Sequence, residues 1–175
     1  MSNRLILLGF FAYAALAPGA GLAAQADNPK PLGTFERWTA YSLTEGGQQV
    51  CYVASAPAKS DGKYAKRGDV FMLITHRPAQ KSLDVVSFVA GYAFKPEAQA
   101  ELAVGKDKFT LFVKDERAWA PDDKADATIV RAMSKGAEMV VRGTSARGTA
   151  TTDHFSLKGF ARAYDAINKA CKVKR

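Results

Sequence analysis

Between residues 35 and 157 turn residues divide the chain into apolar or alternating runs of strand length, and this rhythm constrains the fold more than any other feature. Residues 35–43, with Trp38, Thr39 and Tyr41, and residues 49–54 flank Gly46-Gly47, a pair suited to a two-residue hairpin turn. Residues 70–75 form an unbroken apolar run, as expected of a strand buried on both faces, and residues 84–90 supply the next strand. A second turn, Gly105-Lys106-Asp107, separates residues 101–104 from 108–113. A third, Ser145-Ala146-Arg147-Gly148, separates residues 139–143 from 149–157. The polar stretch 56–69, with Pro57 and Asp61-Gly62, reads as a loop.

Two segments break the rhythm. Ala125, Ile129, Ala132 and Met133 make one apolar stripe at helical spacing, which predicts a helix near 123–135. Acids at its start, Arg131 and Lys135 near its end and Gly136 just beyond fit the chemistry of helix ends. Phe160, Ala163, Tyr164, Ile167, Ala170 and Cys171 share one face of a second helix near 159–171. The expectation is one mainly β domain over residues 35–175, an antiparallel sandwich or barrel-like sheet with two packed helices. A composition of 47% hydrophobic and 24% charged residues suits a globular domain and argues against disorder.

Residues 1–26 follow different rules. Arg4 precedes an apolar run over residues 5–17; Pro18, Gly19 and Gly21 break it, and Ala24-Gln25-Ala26 closes it. Charged start, apolar middle and small-residue end make a secretory signal peptide. A run of about 13 apolar residues is shorter than the roughly 20 that span a bilayer. Cleavage after Ala26 leaves 149 residues with no further membrane-spanning segment, of which 27–34, with Pro29 and Pro31, read as a flexible lead-in. The expected location is the periplasm or cell envelope.

Cys51 lies in the second strand run and Cys171 on the apolar face of the last helix, 120 positions apart. An exported chain with one cysteine pair oxidises it, so the first reading is a disulfide that ties the helix to the sheet. A redox pair and two free thiols are the alternatives, although redox cysteines usually stand in a close C-x-x-C pair. Two Cys and two His do not build a cysteine-based zinc cluster or an iron–sulfur centre within the chain, and no metal or cofactor is expected. The formal net charge of +8 becomes +7 once Arg4 leaves, and it is dispersed. Lys59, Lys63, Lys66 and Arg67 share one loop, while Lys172, Lys174 and Arg175 form the tail. Nucleic-acid modules concentrate charge and interleave it with stacking aromatics, so no nucleic-acid partner is expected. A solvated basic surface, or weak attraction to anionic lipid or polysaccharide, accounts for the charge.

No catalytic set emerges. Ser145 lacks the glycine two residues on and the following helix that a nucleophile elbow needs; Arg147 stands in the glycine's place. His76 and His154 are the only histidines, and both read as solvent-facing or loop-capping. In particular, His154 faces solvent if Phe155 faces the core, and Asp153 then points away from His154. A hydrolase or small-ligand binder built on the two histidines is the alternative, and it requires them to converge. Arg77 and Arg147 are candidate anion or partner contacts through a bidentate fork. Trp38, Tyr41 and Trp119 read as core rather than ligand platform.

Residues 38–41, Val50-Cys51-Tyr52, Arg67-Gly68-Asp69, Thr75-His76-Arg77-Pro78, Val89-Ala90-Gly91-Tyr92 and Ala118-Trp119-Ala120-Pro121 form a set of segments with a common likeness. Together they resemble the invasion-associated locus B family of alphaproteobacterial exported proteins. The long stretch 142–153, then 155–160 and 166–171, continue the likeness over roughly residues 35–172. The resemblance implies a β-rich envelope protein that binds a protein or an envelope component, linked in pathogens to invasion of host cells. It brings no established catalytic residues.

Overall fold

A computed structural model describes residues 28–174; the proposed signal peptide lies outside the described residues. Eleven strands are described: β1 Lys30–Phe35, β2 Trp38–Glu45, β3 Gln48–Ser55, β4 Lys59–Gly62, β5 Phe71–Arg77, β6 Ser82–Val89, β7 Gln99–Val104, β8 Asp107–Lys114, β9 Arg117–Trp119, β10 Glu138–Thr144 and β11 Ala150–Ser156. Two α-helices, α1 Asp123–Lys135 and α2 Phe160–Ala170, join them. The strands pair antiparallel in one sheet, ordered β1-β2-β3-β5-β6-β9-β8-β7-β10-β11-β4, which does not close into a barrel.

The sheet instead folds back over its own inner face. Phe88 of β6 meets Phe155 of β11 edge-on at 6.3 Å between ring centroids, although four strands separate these two in the sheet. Trp38 of β2 donates its indole N–H to the Ser156 carbonyl at 2.9 Å. Trp38, Met72, Ile74, Phe88, Leu102 and Phe155 are fully buried in the resulting sandwich-like core. Strand periodicity decides which side chains join it. Met72, Ile74 and His76 point inward, while Phe71 is 38% exposed on the outer face of the same strand. The run 70–75 is therefore covered on one face only at its start. Trp119 likewise faces outward and stacks on Phe112, and Tyr41 stacks on Tyr52.

Hairpin chemistry follows the sequence closely. Gly46 and Gly47 have φ values of 56° and 77°, and Glu45 pairs with Gln48 across them. Positive φ at both central residues twists a two-residue loop in the sense the strands need. α1 starts as expected, with the Asp122 carboxylate accepting the Ala125 N–H at 2.8 Å. Its end has a different cause from the one expected: Gly136 is not left-handed, with φ −81°, but a Cβ there would overlap Val104. The glycine marks a close approach of helix and strand. Among the described residues no helix is long and apolar enough to cross a membrane.

Three strands depart from expectation. The lead-in contributes β1, paired with β2, in place of a flexible segment. The stretch 56–69 contains β4, which pairs with β11. Residues 117–119, which none of the expected strands included, form β9 between β6 and β8. β1 and β4 end the sheet and carry polar residues or proline, and β9 has three residues, so none shows the apolar alternation that marks an inner strand.

Candidate functional site

The sequence-predicted residues fall in separate places. Cys51 and Cys171 are joined, with an S–S distance of 2.04 Å and Cα atoms 6.0 Å apart, and no cysteine among the described residues is free. His76 is fully buried, which overturns the solvent-facing expectation. Its Nδ1 accepts the Asp84 backbone N–H at 3.0 Å, so the ring proton sits on Nε2, which donates to Asn168 Oδ1 at 3.0 Å. This polar group sits inside because α2 brings Asn168 over β5. His154 does face outward, its Nδ1 2.8 Å from Glu138 Oε1. His76 is held by β6 and α2 and His154 by β10, and neither lines the cleft formed by residues 63–67, 91–93 and 145–149. The guanidinium of Arg77 is held by Glu45 Oε2 at 3.3 Å. Ser145 is buried in its turn, its Oγ accepting the Thr149 N–H at 3.1 Å, so it is no exposed nucleophile.

Arg147 belongs to a different setting. The segment 63–67, the segment 91–93 and the turn after β10 converge on a cleft of about 430 Å³. Lys63, Lys66 and Arg147 line it, with Tyr64, Tyr92 and Thr149, and no Asp or Glu is among the lining residues. None of those three cations makes an ion pair or side-chain hydrogen bond among the described residues.

The cleft is shaped by a buried ion pair that sequence reasoning did not find. Arg67 Nη1 and Nη2 donate to the two Asp153 oxygens at 2.8 and 2.7 Å, and Nε donates to the Ala90 carbonyl at 2.7 Å. Both side chains are almost fully buried, at 4% and 1% exposed. Burial works against the charged guanidinium, but the hydrogen bond and charge of Asp153 prevail, so Arg67 binds its proton more tightly than usual. The Arg67 charge lies 4.9 Å from the Tyr92 ring centroid and 5.4 Å from that of Tyr64, a cation between two aromatic faces. Burial raises the Tyr92 pKa, despite the Thr151 hydrogen bond and the Arg67 charge that pull it down, which keeps the phenol neutral. Its hydroxyl is 2.7 Å from Thr151 Oγ1.

Glycines make the room. Gly91 has φ 69°, and a Cβ there would overlap the Gly68 carbonyl; the Gly68 N–H donates to Gly91 O at 2.8 Å. This backbone clasp sets Arg67 and Tyr92 against each other. At Gly143 a Cβ would stand 2.7 Å from the Phe94 ring and 2.8 Å from the Tyr92 hydroxyl. One signal could have found the pair. Thr151, Asp153 and Phe155 share the inward face of one strand, and an inward carboxylate requires a buried cation.

The comparisons with known proteins accord with this architecture. Residues 38–168 match the family model described as invasion associated locus B (IalB) protein. The crystal structure of invasion associated protein B from Bartonella henselae superposes with a TM-score of 0.57 at 15% identity, covering 83% of this chain and 98% of that one. At that identity the superposition speaks for the fold alone. No curated protein matches the sequence. The family model spans the Cys51 strand, the Arg67–Asp153 pair and nearly all of the core, and the chain belongs to the invasion-associated locus B family.

Proposed function

We propose that this chain is an exported, non-enzymatic envelope protein that acts by binding an acidic partner in the cleft between residues 63–67, 91–93 and 145–149. The observation that carries this reading is the charge of the cleft. Lys63, Lys66 and Arg147 face it without a neutralising acid, while the one charge pair beneath it, Arg67–Asp153, is internally balanced. Like charges held together raise the local concentration of an anion, and they do so most in a concave site. A disulfide suits an oxidising compartment, and residues 1–26 have the order of a signal peptide, which together support export. In a pathogen the same binding would serve invasion.

The test is retention of acidic envelope components by the oxidised protein, compared with a Lys63→Ala, Lys66→Ala, Arg147→Ala variant. The wild type should retain an acidic component that the variant loses, and retention should weaken as salt rises. Equal retention by the two proteins would sink the reading.

A further inference from the structure

We infer that the ligand of this cleft is a compact anionic sugar, a pyranose-sized ring bearing a carboxylate or a phosphate, and that Arg147 is its specificity-determining contact. The inference rests on the binding reading above and narrows it by chemistry. A cleft of about 430 Å³ is far larger than a bare anion requires and falls in the range of small-ligand sites. Its uncharged lining is hydroxyl and small: Thr149, Tyr64 and Tyr92 with Ala65, Ala93 and Ala146. No Leu, Ile, Val, Met or Phe lines it, so its apolar surface is alanine methyls and tyrosine rings, which suit the face of a sugar ring better than a long acyl chain.

An acidic peptide fits less well. A peptide that binds by strand addition needs a free sheet edge, but the cleft is walled mainly by the segments 63–67, 91–93 and 145–149. The strand residue that lines it, Thr151, belongs to β11, which β10 and β4 cover on both sides. What remains is a ligand with hydroxyls, a limited size and concentrated negative charge.

The two arginines at the site have different work. Arg67 spends its guanidinium on Asp153 and the Ala90 carbonyl, so it is a positioning residue that holds Tyr64 and Tyr92 in place. Arg147 stands exposed on the turn with its fork uncommitted among the described residues, and a planar fork matches a carboxylate or phosphate bidentately.

Isothermal titration of the oxidised, exported protein with glucuronate, glucose 6-phosphate, glucose, acetate, inorganic phosphate and oligoglutamate tests this. At least one of the first two should bind about 10-fold or more tightly than acetate or inorganic phosphate, and neutral glucose should not bind. Which of the two wins assigns the anionic group. Arg147→Ala should weaken binding by about 10-fold or more, and Arg147→Lys should restore only part, because a point charge replaces a fork. Simple anions binding as tightly as the sugars, or oligoglutamate binding more tightly, would overturn the sugar class while leaving an acidic partner in place. Binding unaffected by Arg147→Ala would overturn the role of that arginine. Failure of every anion to bind, together with unchanged envelope retention by the triple variant, would remove both readings.

Discussion

Asp153 and Arg67 are an ion pair whose value depends on both partners being present. Each has been taken out of water, and the two short hydrogen bonds that Arg67 donates to Asp153 compensate both. Asp153→Asn leaves a buried guanidinium without its counter-charge and should lower the unfolding free energy by about 3–5 kcal/mol, read from urea denaturation. Replacing both residues with apolar ones should recover most of that loss, since no charge is then stranded; a double variant as unstable as Asp153→Asn would contradict the argument. Asp126 is the opposite case. It is buried on α1 and accepts the Val86 N–H at 2.8 Å, with Asp123, Asp84 and Asp122 nearby. Burial first, then those like charges, push its pKa from 3.8 to about 6, against the pull of the Val86 hydrogen bond. The folded state thus holds a proton that the unfolded chain releases, so this group's contribution is full below 3.8 and is lost as pH rises through about 6. Asp126→Asn keeps an oxygen for Val86 and removes the charge. It should stabilise the protein at neutral pH by about 2–3 kcal/mol, with the gain vanishing near pH 4. Melting curves across pH check the sign.

At the scale of elements, α2 shows how a covalent tie and an apolar face divide the work. Phe160, Ala163 and Ile167 are fully buried, and Cys171, just past the last turn, is bonded to Cys51 of β3. The spacing of those residues announced the helix, and the bridge joins an element near the end of the described chain to a strand near its start. Closing a loop of 120 positions restricts the unfolded chain, and loss of such a bridge typically costs about 2–5 kcal/mol. Cys51→Ala should therefore lower the melting temperature by roughly 5–15 °C. Hydrogen exchange in α2 should accelerate more than exchange in β7 or β8, which the bridge does not touch. Uniform acceleration across the sheet would assign the bridge to global stability alone. The same scale explains which strands were legible. β5 and β6 combine apolar runs with burial, and the β2–β3 and β7–β8 turns carry glycine at positive φ. β4 carries Lys59 and Asp61, and it exists because β11 offers it an edge; nothing within its own four residues encodes that partner.

For the whole molecule, the sheet's return over its own face creates both the core and the cleft. Arg67 lies 86 positions from Asp153, and Tyr92 lies 59 positions from Thr151. Contacts of that separation depend on the order of strands, which local propensity does not specify, so Arg67 read as one more basic loop residue. His76 failed for the same reason. Its inward direction follows from strand alternation, but Asn168, which satisfies it, arrives with the last helix. By itself the sequence determined the β-rich class, both helices, the hairpin turns, the outward His154 and the cysteine pair, since each rests on local backbone preference, side-chain period or residue count. Only the tertiary structure decided that Arg67 is a buried pillar and that Arg147 lines a cleft without an acid partner among the described residues, because burial and neutralisation depend on which distant chain segments close over a charge.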